Sequence, residues 1–294
     1  MGNCFFVKPE IDPSSRDEHR AFPLDEVDLE KGSNKQLVDI YLTGPVLFAY
    51  GGSKIVRLSH TLVLKGGASV FPCEAENMKF AATYTQIHIP KVHRVFQFRL
   101  DYETRDTWFI VMDYVLGCCV EDNWETLSER THDEVTSQVA GMIEQMQSVT
   151  LNHMRPGPIG GGAPFQGPWF SDYGAGPFDT LQELEDWLNH KLDVCLRFKQ
   201  APEDTPRFEF KDIVFTHQDI APRNLILDPF GRVWLIDWAF AGMYPKGFEQ
   251  SALPKQARNN KFSNLVLSKL STSYPKEALQ LFSIGYSLTT AALL

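Results

Sequence analysis

Short apolar runs separated by turns dominate the first 115 residues and predict strands rather than long helices. Their pattern indicates four strands, at 55–58, 61–64, 92–100 and 108–115. Ser59-His60 forms a tight turn between the first two, and a polar turn at 101–106 joins the last two. The pattern also predicts two helices, a short one at 34–42 and another at 73–85, which Pro90 stops from extending. This order of strands, a helix and further strands predicts a small α+β lobe.

Helical periodicity replaces this pattern in the second part of the chain. One apolar stripe is made by Val135, Val139, Met142, Ile143, Met146 and Val149. Thr131 and Glu134 precede it in the form of a capping box, which predicts the start of that helix. A second stripe is made by Leu181, Leu184, Leu188, Leu192 and Cys195. Residues 154–177, rich in Gly and Pro, predict a long irregular loop, and those beyond 248 predict further helices in a larger, mainly α lobe.

The stretch 214–245 carries the most informative pattern in the chain. Apolar runs at 225–227 and 233–236 flank a turn at 228–231, which predicts loop, strand, tight turn, strand and loop. Such a hairpin brings Asp219 and Asn224 of the first loop near Asp237, at the end of the second strand. Phosphoryl transfer from a nucleotide needs such a group: one carboxylate positions and deprotonates the acceptor hydroxyl, while an amide and a second carboxylate hold magnesium. A bare hairpin is an ordinary turn, but these spacings, with His217 ahead of them, favour catalysis.

Composition narrows the class of protein and its compartment. The 294 residues are 43% hydrophobic and 22% charged, which is typical of a globular protein with room for two lobes. The formal net charge of -9 argues against a nucleic-acid partner, since such sites need clustered Lys and Arg. The negative charge is also compatible with a cationic substrate, although a solvated acidic surface is the simpler interpretation. Five cysteines without a C-x-x-C pair indicate a reducing compartment with neither disulfides nor a zinc site, so we expect a cytoplasmic protein.

The pattern H-x-D-x-x-x-x-N followed by I-D-W resembles the catalytic and metal-binding segments of the aminoglycoside phosphotransferase and choline kinase-like family, and most of all its fungal members. That resemblance implies a protein-kinase-like α+β fold, with a small β-rich N-terminal lobe and a larger, mainly α C-terminal lobe. It implies Asp219 as the catalytic base, Asn224 and Asp237 as magnesium ligands, and His217 as a structural residue of the loop. The expected cofactors are ATP and Mg²⁺. We expect a polar arm at 1–32, a nucleotide-binding lobe at 33–116 and a catalytic, acceptor-binding lobe at 117–294.

The same resemblance assigns a nucleotide-binding role to Lys65, which ends the apolar run 62–64. In the family this lysine contacts the α- and β-phosphates and is held by a Glu of the following helix. Glu74 fits that position best and Glu76 is the second candidate. Two residues apart on a helix, they face different ways, so only one of them can pair with the lysine.

By resemblance, the run 109–115 leads into the hinge that reads the adenine. Met112 lies behind the base, and the main-chain carbonyl of Asp113 and the amide of Val115 contact its edge. A Gly/Ser turn at 50–54 replaces the G-x-G-x-x-G loop of protein kinases, as is usual in the small-molecule branch. Gly66-Gly67 reads as a simple turn.

The sequence therefore predicts a small-molecule kinase that moves the γ-phosphate of ATP to a hydroxyl group. One alternative is a catalytically inactive, kinase-like nucleotide- or partner-binding protein. A protein kinase is the third interpretation, disfavoured because Trp238 replaces the Phe of D-F-G and no A-P-E-like segment follows. Arg223 has two open roles, holding the catalytic loop or contacting phosphate.

The acceptor cannot be read from the sequence. Choline, ethanolamine, an amino sugar, a sugar and a secondary metabolite all remain open. By composition, Glu249 and the acids at 183–186 could recruit a cationic acceptor, although a solvated surface position is the simpler expectation. The chain ends soon after the hairpin by family standards, so we expect a reduced acceptor-binding lobe.

The termini give only weak membrane signals. Met1-Gly2-Asn3-Cys4 suggests acylation, but Phe6 stands where that motif needs Ser or Thr, and the charges at 8–12 exclude a signal peptide. The rest of the N-terminal arm is polar and contains prolines, so we expect it to be mobile or loosely docked. Residues 278–294 carry no charged side chain but are short for a span of about 20 residues. We expect a helix packed on the large lobe, with a tail anchor as the weaker alternative.

Overall fold

The computed structural model describes residues 10–25, 28–101, 105–151, 154–161, 163, 165–171 and 173–294. The chain forms two compact units, one made of Met1–Ala75 with Pro90–Val115, the other of Glu76–Ile89 with Leu116–Leu294. The N-terminal residues considered for acylation lie outside the described part of the chain.

Five antiparallel strands form the sheet of the first unit: β1 (Val46–Tyr50), β2 (Ser53–Arg57), β3 (Leu62–Gly67), β4 (Val92–Arg99) and β5 (Asp106–Asp113). Their order across the sheet is β1-β2-β3-β5-β4. The four strands predicted from the sequence are confirmed, and β1 is an additional one. Gly66 and Gly67 continue β3 instead of forming a turn, since they pair with Phe109 and Trp108 of β5. Position 66 has no room for a side chain, because a Cβ there would strike the Phe109 ring.

Helix α1 (Asn34–Thr43) packs on this sheet and closes the core of the unit. Ser33 and Gln36 form a capping box at its start. The core consists mainly of Leu37, Val38, Tyr41, Val56, Leu58, Leu64, Phe96, Phe109 and Val111. Because successive side chains of a strand point to opposite faces, Leu64 enters this core and Lys65 lies on the other face of the sheet.

The described part of the N-terminal arm is docked on the first unit, so our expectation of a loosely attached arm is wrong for residues 10–25. The fully buried Arg57 organises it. Its guanidinium donates to the carbonyls of Ser15 (3.2 Å) and Ser59 (2.7 Å) and lies 3.2 Å from the centroid of the Tyr114 ring. A buried guanidinium must have its donors satisfied, and the arm supplies acceptors that the sheet lacks.

The second unit is mainly helical. Its helices, together with the end of α2 (Pro72–Tyr84), are α3 (Val120–Asn123), α4 (Glu129–Ser148), α5 (Leu181–Arg197), α6 (Phe248–Gln256), α7 (Asn260–Ser268), α8 (Pro275–Ser283) and α9 (Gly285–Leu288). Its strands are β6 (Cys118–Cys119), β7 (Ile213–Thr216), β8 (Leu225–Leu227), β9 (Val233–Leu235) and β10 (Gly242–Pro245). They pair as β6-β8-β9 and as β10-β7.

Both predicted apolar stripes are buried in this unit except for Leu181, which is partly buried, and the core around α5 also includes Trp169, Phe208, Tyr244 and Phe248. The start of α4 differs from the prediction. Ser128 is the N-cap, with its hydroxyl accepting from the backbone N–H of Thr131 (3.1 Å), so the helix begins at Glu129 and Thr131 already lies inside it. The capping box proposed for Thr131 and Glu134 is therefore wrong, because a hydroxyl three residues earlier satisfies the first turn.

The C-terminal segment packs on the helical unit as expected. Leu281 of α8 and Leu288 of α9 are almost fully buried in the same core. Within the described residues, every helix is too short or too polar to cross a membrane.

Candidate active site

A buried ion pair joins β3 to the first turn of α2. The Lys65 Nζ lies 2.6 Å from Glu74 Oε1, and both residues are almost fully buried. Glu76 instead pairs with Lys79 (2.8 Å) at the surface. Of the two acids considered in the sequence, Glu74 is therefore the one that contacts the lysine.

The backbone around Asp113 is fixed by pairing with two neighbouring segments. Asp113 N–H donates to the Lys91 carbonyl (3.0 Å), and Tyr114 N–H donates to the Thr61 carbonyl (2.7 Å). The Asp113 carboxylate accepts from Lys91 N–H (2.9 Å) and from His93 Nε2 (2.6 Å). The side chain therefore binds the start of β4. Met112 and Val115 are buried. Base reading by the Asp113 carbonyl and the Val115 amide stays a prediction.

The loop after β7 presents Asp219 between two side chains that follow it. Asn224 Nδ2 donates to Asp219 Oδ2 (2.8 Å) and also to the Asp219 carbonyl (2.8 Å). Arg223 Nη2 donates to Asp219 Oδ1, and its Nη1 donates to the Gln256 carbonyl (2.6 Å). Of the two roles left open for Arg223, these contacts favour holding the loop. The carboxylate is thereby fixed in orientation, with hydrogen bonds to both oxygens.

Asn224 and Asp237 are brought together by the hairpin. Leu225 of β8 pairs with Leu235 of β9, and Ile236 N–H donates to the Asn224 carbonyl (3.0 Å). Because both amide hydrogens of Asn224 bind Asp219, its Oδ1 must point away from that residue. Mg²⁺ prefers oxygen ligands of this kind, an amide oxygen and a carboxylate, so the residues fit such an ion.

Backbone strain marks two positions of this site. Gln218 and Asp237 have φ values of 61° and 62°, in the left-handed region that residues other than glycine rarely adopt. Such strain persists only where surrounding contacts impose it, and it is concentrated at functional sites.

His217 joins the loop to the hairpin from a fully buried position. Its Nδ1 accepts from the Asp219 N–H (3.2 Å), and its Nε2 donates to the Ile236 carbonyl (3.1 Å). One ring nitrogen thus accepts and the other donates, as in a neutral imidazole. The contacts agree with the structural role expected for His217.

The family model of the phosphotransferase enzyme family matches residues 51–249, a range that includes the Lys65–Glu74 pair and the hairpin of β8 and β9. The chain belongs to the phosphotransferase enzyme family. The predicted family is thereby confirmed, whereas the resemblance to its fungal members stays a prediction. No curated protein sequence matches this phosphotransferase significantly.

Solved structures of aminoglycoside phosphotransferases share its fold. The ADP-bound APH(2'')-Ib has a TM-score of 0.51 and 16% identity, over 81% of this chain and 80% of that one. APH(4)-Ia has a TM-score of 0.54 and 17% identity, over 86% and 90%. The streptomycin-ATP-APH(2'')-IIa complex has a TM-score of 0.52 and 16% identity, over 87% of each chain. At this identity the likeness establishes the fold, which confirms the predicted kinase-like α+β fold class. Together with the family, it identifies a small-molecule kinase.

The sequence suggested Glu249 only as an acid that could recruit a cationic acceptor and did not predict its contacts with the loop that carries Asp219. Glu249 was expected at the surface, but it lies in the first turn of α6 with 1% exposure. Its carboxylate accepts from the backbone N–H of His217 and of Gln218 (3.0 Å), and thus supports the catalytic loop. Burial raises the pKa of Glu249 to about 7, although these N–H donors act in the opposite direction.

The spacing of Glu249 could have revealed its burial. Ala252 and Leu253 follow it at three and four residues, so the three share one helical face. Of the other proposed acids, Glu183 accepts from Asp179 N–H (2.7 Å) at the start of α5 and Asp186 accepts from Gln182 (2.9 Å), whereas Glu185 accepts from the distant Phe210 N–H (2.7 Å). Glu183 and Asp186 are exposed, as expected.

Proposed function

We propose that this phosphotransferase moves the γ-phosphate of ATP to a hydroxyl group of a small molecule, with Mg²⁺, in the cytoplasm. The observation that carries the proposal is the arrangement of Asp219, Asn224 and Asp237 on one hairpin, with Asp219 fixed by donors on both of its oxygens. A kinase needs these groups and little covalent chemistry of its own, because catalysis rests on positioning and charge neutralisation.

In this proposal, Asp219 orients the acceptor hydroxyl and takes its proton as the oxygen attacks the γ-phosphorus of ATP, whose bond to the bridging oxygen breaks so that ADP leaves. Arg223 and Asn224 keep the carboxylate in one orientation, which lowers the cost of ordering it in the transition state. Asn224 and Asp237 hold magnesium, which neutralises charge on the phosphates when it is bound. The acceptor proton finally leaves from Asp219 to water.

The nucleotide roles are assigned to residues of the first unit. Lys65, held by Glu74, contacts the α- and β-phosphates, and the ion pair keeps a buried ammonium at a defined position. The Asp113 carbonyl and the Val115 amide read the base, and Met112 lies behind it. Neighbours with this fold were solved with ADP, ATP or GDP, so guanine nucleotides belong in the test beside ATP.

A cationic acceptor is the first class to try. Two of the neighbours were solved with streptomycin or gentamicin, and this chain has a formal net charge of -9. Glu249 is removed from the acids that could recruit such a cation, because it is buried beneath the catalytic loop. Amino sugars, choline and ethanolamine should be compared with neutral sugars.

The decisive experiment measures nucleotide binding with and without Mg²⁺, and ATP consumption with each acceptor, for the wild type and Asp219→Asn. Consumption with one acceptor that the substitution abolishes would establish the kinase and its substrate. Magnesium-dependent binding without turnover on any acceptor would favour the catalytically inactive alternative. Failure to bind any nucleotide would overturn the proposal.

A further inference from the structure

A buried asparagine in α2 is bonded to three backbone groups that lie far from it in the sequence. Asn77 is completely buried. Its Nδ2 donates to the carbonyls of Trp238 (3.0 Å) and Ala241 (2.9 Å), and its Oδ1 accepts from the N–H of Ile159 (3.0 Å). The side chain therefore uses both of its hydrogens and its oxygen on main-chain partners.

Two of these partners belong to the turn that directly follows Asp237. Ala241 N–H donates to the Trp238 carbonyl (3.2 Å) and closes that turn. Asn77 binds both carbonyls of the same turn, and Trp238 is the residue after the strained Asp237. A left-handed aspartate relaxes unless its neighbours hold it. Loss of the amide donors would take a buried hydrogen bond from the Ala241 carbonyl and leave the Trp238 carbonyl with the Ala241 N–H.

The third partner extends this support to the glycine-rich segment at 157–161. Gly157 exchanges two backbone hydrogen bonds with Met243 of β10 (2.8 and 2.9 Å), and Ile159 donates to Asn77 two residues later. One amide thus binds this segment and the turn after Asp237 at the same time. Its position is set by α2, where Asn77 follows Glu74 by three residues, about one helical turn.

We infer that Asn77 is a positioning residue for the proposed magnesium site, which holds Asp237 in its ligating conformation through the carbonyls of Trp238 and Ala241. This inference rests on the proposed role of Asp237 in binding magnesium. Asn77 touches no reacting group itself. Its effect must therefore appear in the magnesium dependence of nucleotide binding rather than in stability alone.

A second buried asparagine provides a matched control. Asn189 of α5 is 9% exposed; it donates to the Phe208 carbonyl (3.0 Å) and accepts from the Phe208 N–H (2.9 Å). It makes the same kind of side chain to backbone bridge, but Phe208 is not part of the proposed site. Asn77→Asp and Asn189→Asp each keep an acceptor oxygen and lose the amide donors.

The test is a Mg²⁺ titration of ATP binding to the full chain by calorimetry, with ATP binding in EDTA as the second readout. Asn77→Asp should raise about tenfold the Mg²⁺ concentration at which half of the Mg²⁺-dependent gain in ATP affinity is reached. The ATP affinity in EDTA should change less than twofold. Lost hydrogen bonds to buried carbonyls give an effect of this order. Asn189→Asp should lower the melting temperature and leave the Mg²⁺ dependence unchanged.

An unchanged Mg²⁺ dependence in Asn77→Asp, beside a magnesium-dependent wild type, would overturn the inference and leave the proposed function standing. So would an equal shift in Asn189→Asp. A wild type whose nucleotide binding ignores Mg²⁺ would overturn the assigned metal site and this inference together. If Asn77→Asp does not fold, Asn77→Ser, which keeps one hydroxyl donor, and Asn189→Ser give the same comparison.

Discussion

The hairpin of β8 and β9 and the loop before it contain two Asp–Arg pairs with identical spacing but different contacts. Asp219 pairs with Arg223 and Asp228 pairs with Arg232, each arginine four residues after its acid. Both aspartates are 7% exposed. The spacing and the burial are thus the same in the loop before β8 and in the turn after it.

The difference lies in how far the contacts reach. Asp228 accepts from the N–H groups of Phe230 and Arg232 (2.9 Å each), from Arg232 Nε (2.7 Å) and from the Trp234 indole (3.1 Å), all within six residues. Burial alone would raise the pKa of Asp228, but these donors outweigh it and place the pKa well below its ordinary range. Asp228 thereby closes its own turn, and this turn stabilises the hairpin.

Asp219 is held by side chains that are themselves anchored elsewhere. Arg223 also binds the Gln256 carbonyl at the end of α6, and the Asn224 carbonyl accepts from Ile236 N–H after β9. The carboxylate therefore has a position defined by several elements rather than by its own turn. Equal sequence spacing therefore does not imply equal function. What distinguishes the two pairs is where the residues that bind each aspartate are themselves anchored.

The largest effect should follow from neutralising Asp219. We expect Asp219→Asn to lower kcat about 10²- to 10⁴-fold, the usual contribution of a general base, with little change in the melting temperature. Steady-state kinetics with the acceptor that the ATP-consumption experiment identifies, beside thermal unfolding, measures both. A variant with near wild-type kcat would remove Asp219 from the mechanism.

The next effect concerns Glu249 and pH. The folded chain keeps the Glu249 proton up to about pH 7, whereas an ordinary carboxyl releases it near 4.5. Between these values the folded state binds more protons, so this group makes stability fall as pH rises, by up to about 1.4 kcal/mol per pH unit, and adds no slope above pH 7. Glu249→Gln should flatten that part of the profile measured by urea unfolding. An unaltered profile would contradict the assignment.

Asp228→Asn should give the opposite result to Asp219→Asn. Loss of an acceptor for buried and charged donors should lower the free energy of unfolding by about 1–3 kcal/mol, while kcat of the folded enzyme stays within twofold. Chemical denaturation and kinetics at low temperature separate the two quantities. A large loss of kcat in a stable Asp228→Asn would erase the distinction between the two ends of the hairpin.

The smallest effect should distinguish the two arginines. Arg223→Met should lower kcat about tenfold, the loss expected from one hydrogen bond to a charged group. Arg232→Met, in a pair that is half exposed at the arginine, should change the free energy of unfolding by less than about 0.5 kcal/mol and leave kcat unchanged. Equal kcat in the two variants would mean that Arg223 only stabilises the loop.

Much of the fold could be predicted from the sequence because the evidence is local, and the proposed ligand set rests on the same kind of local spacing. Asp219, Asn224 and Asp237 are spaced along one hairpin, and the four predicted strands and the helix at 73–85 follow from periodicity. Short strands with distant partners were harder. β7 pairs with β10, whose Gly242 and Pro245 disfavour a strand on their own.

The buried polar residues that support the site escaped prediction for one physical reason. Glu249, Asn77 and Arg57 bind backbone groups, which every residue possesses and which leave no mark in the sequence. Several of these partners are also remote: Asn77 and Trp238 are separated by 161 residues, and Arg57 and Ser15 by 42. Such residues look like surface polar positions until the fold closes over them.

Arg57 also makes the small unit depend on the segment ahead of α1. Removal of the segment ahead of α1 would take away the Ser15 carbonyl, the Glu18 carboxylate (3.2 Å) and the Phe22 ring (4.6 Å from the guanidinium). The guanidinium would then keep the carbonyls of Ser59 and His60 and the Tyr114 ring but lose the partners from the arm, directly beside the residues proposed to read the base. Shortening the protein to its family-matched region would therefore produce a weaker nucleotide binder, not a minimal enzyme.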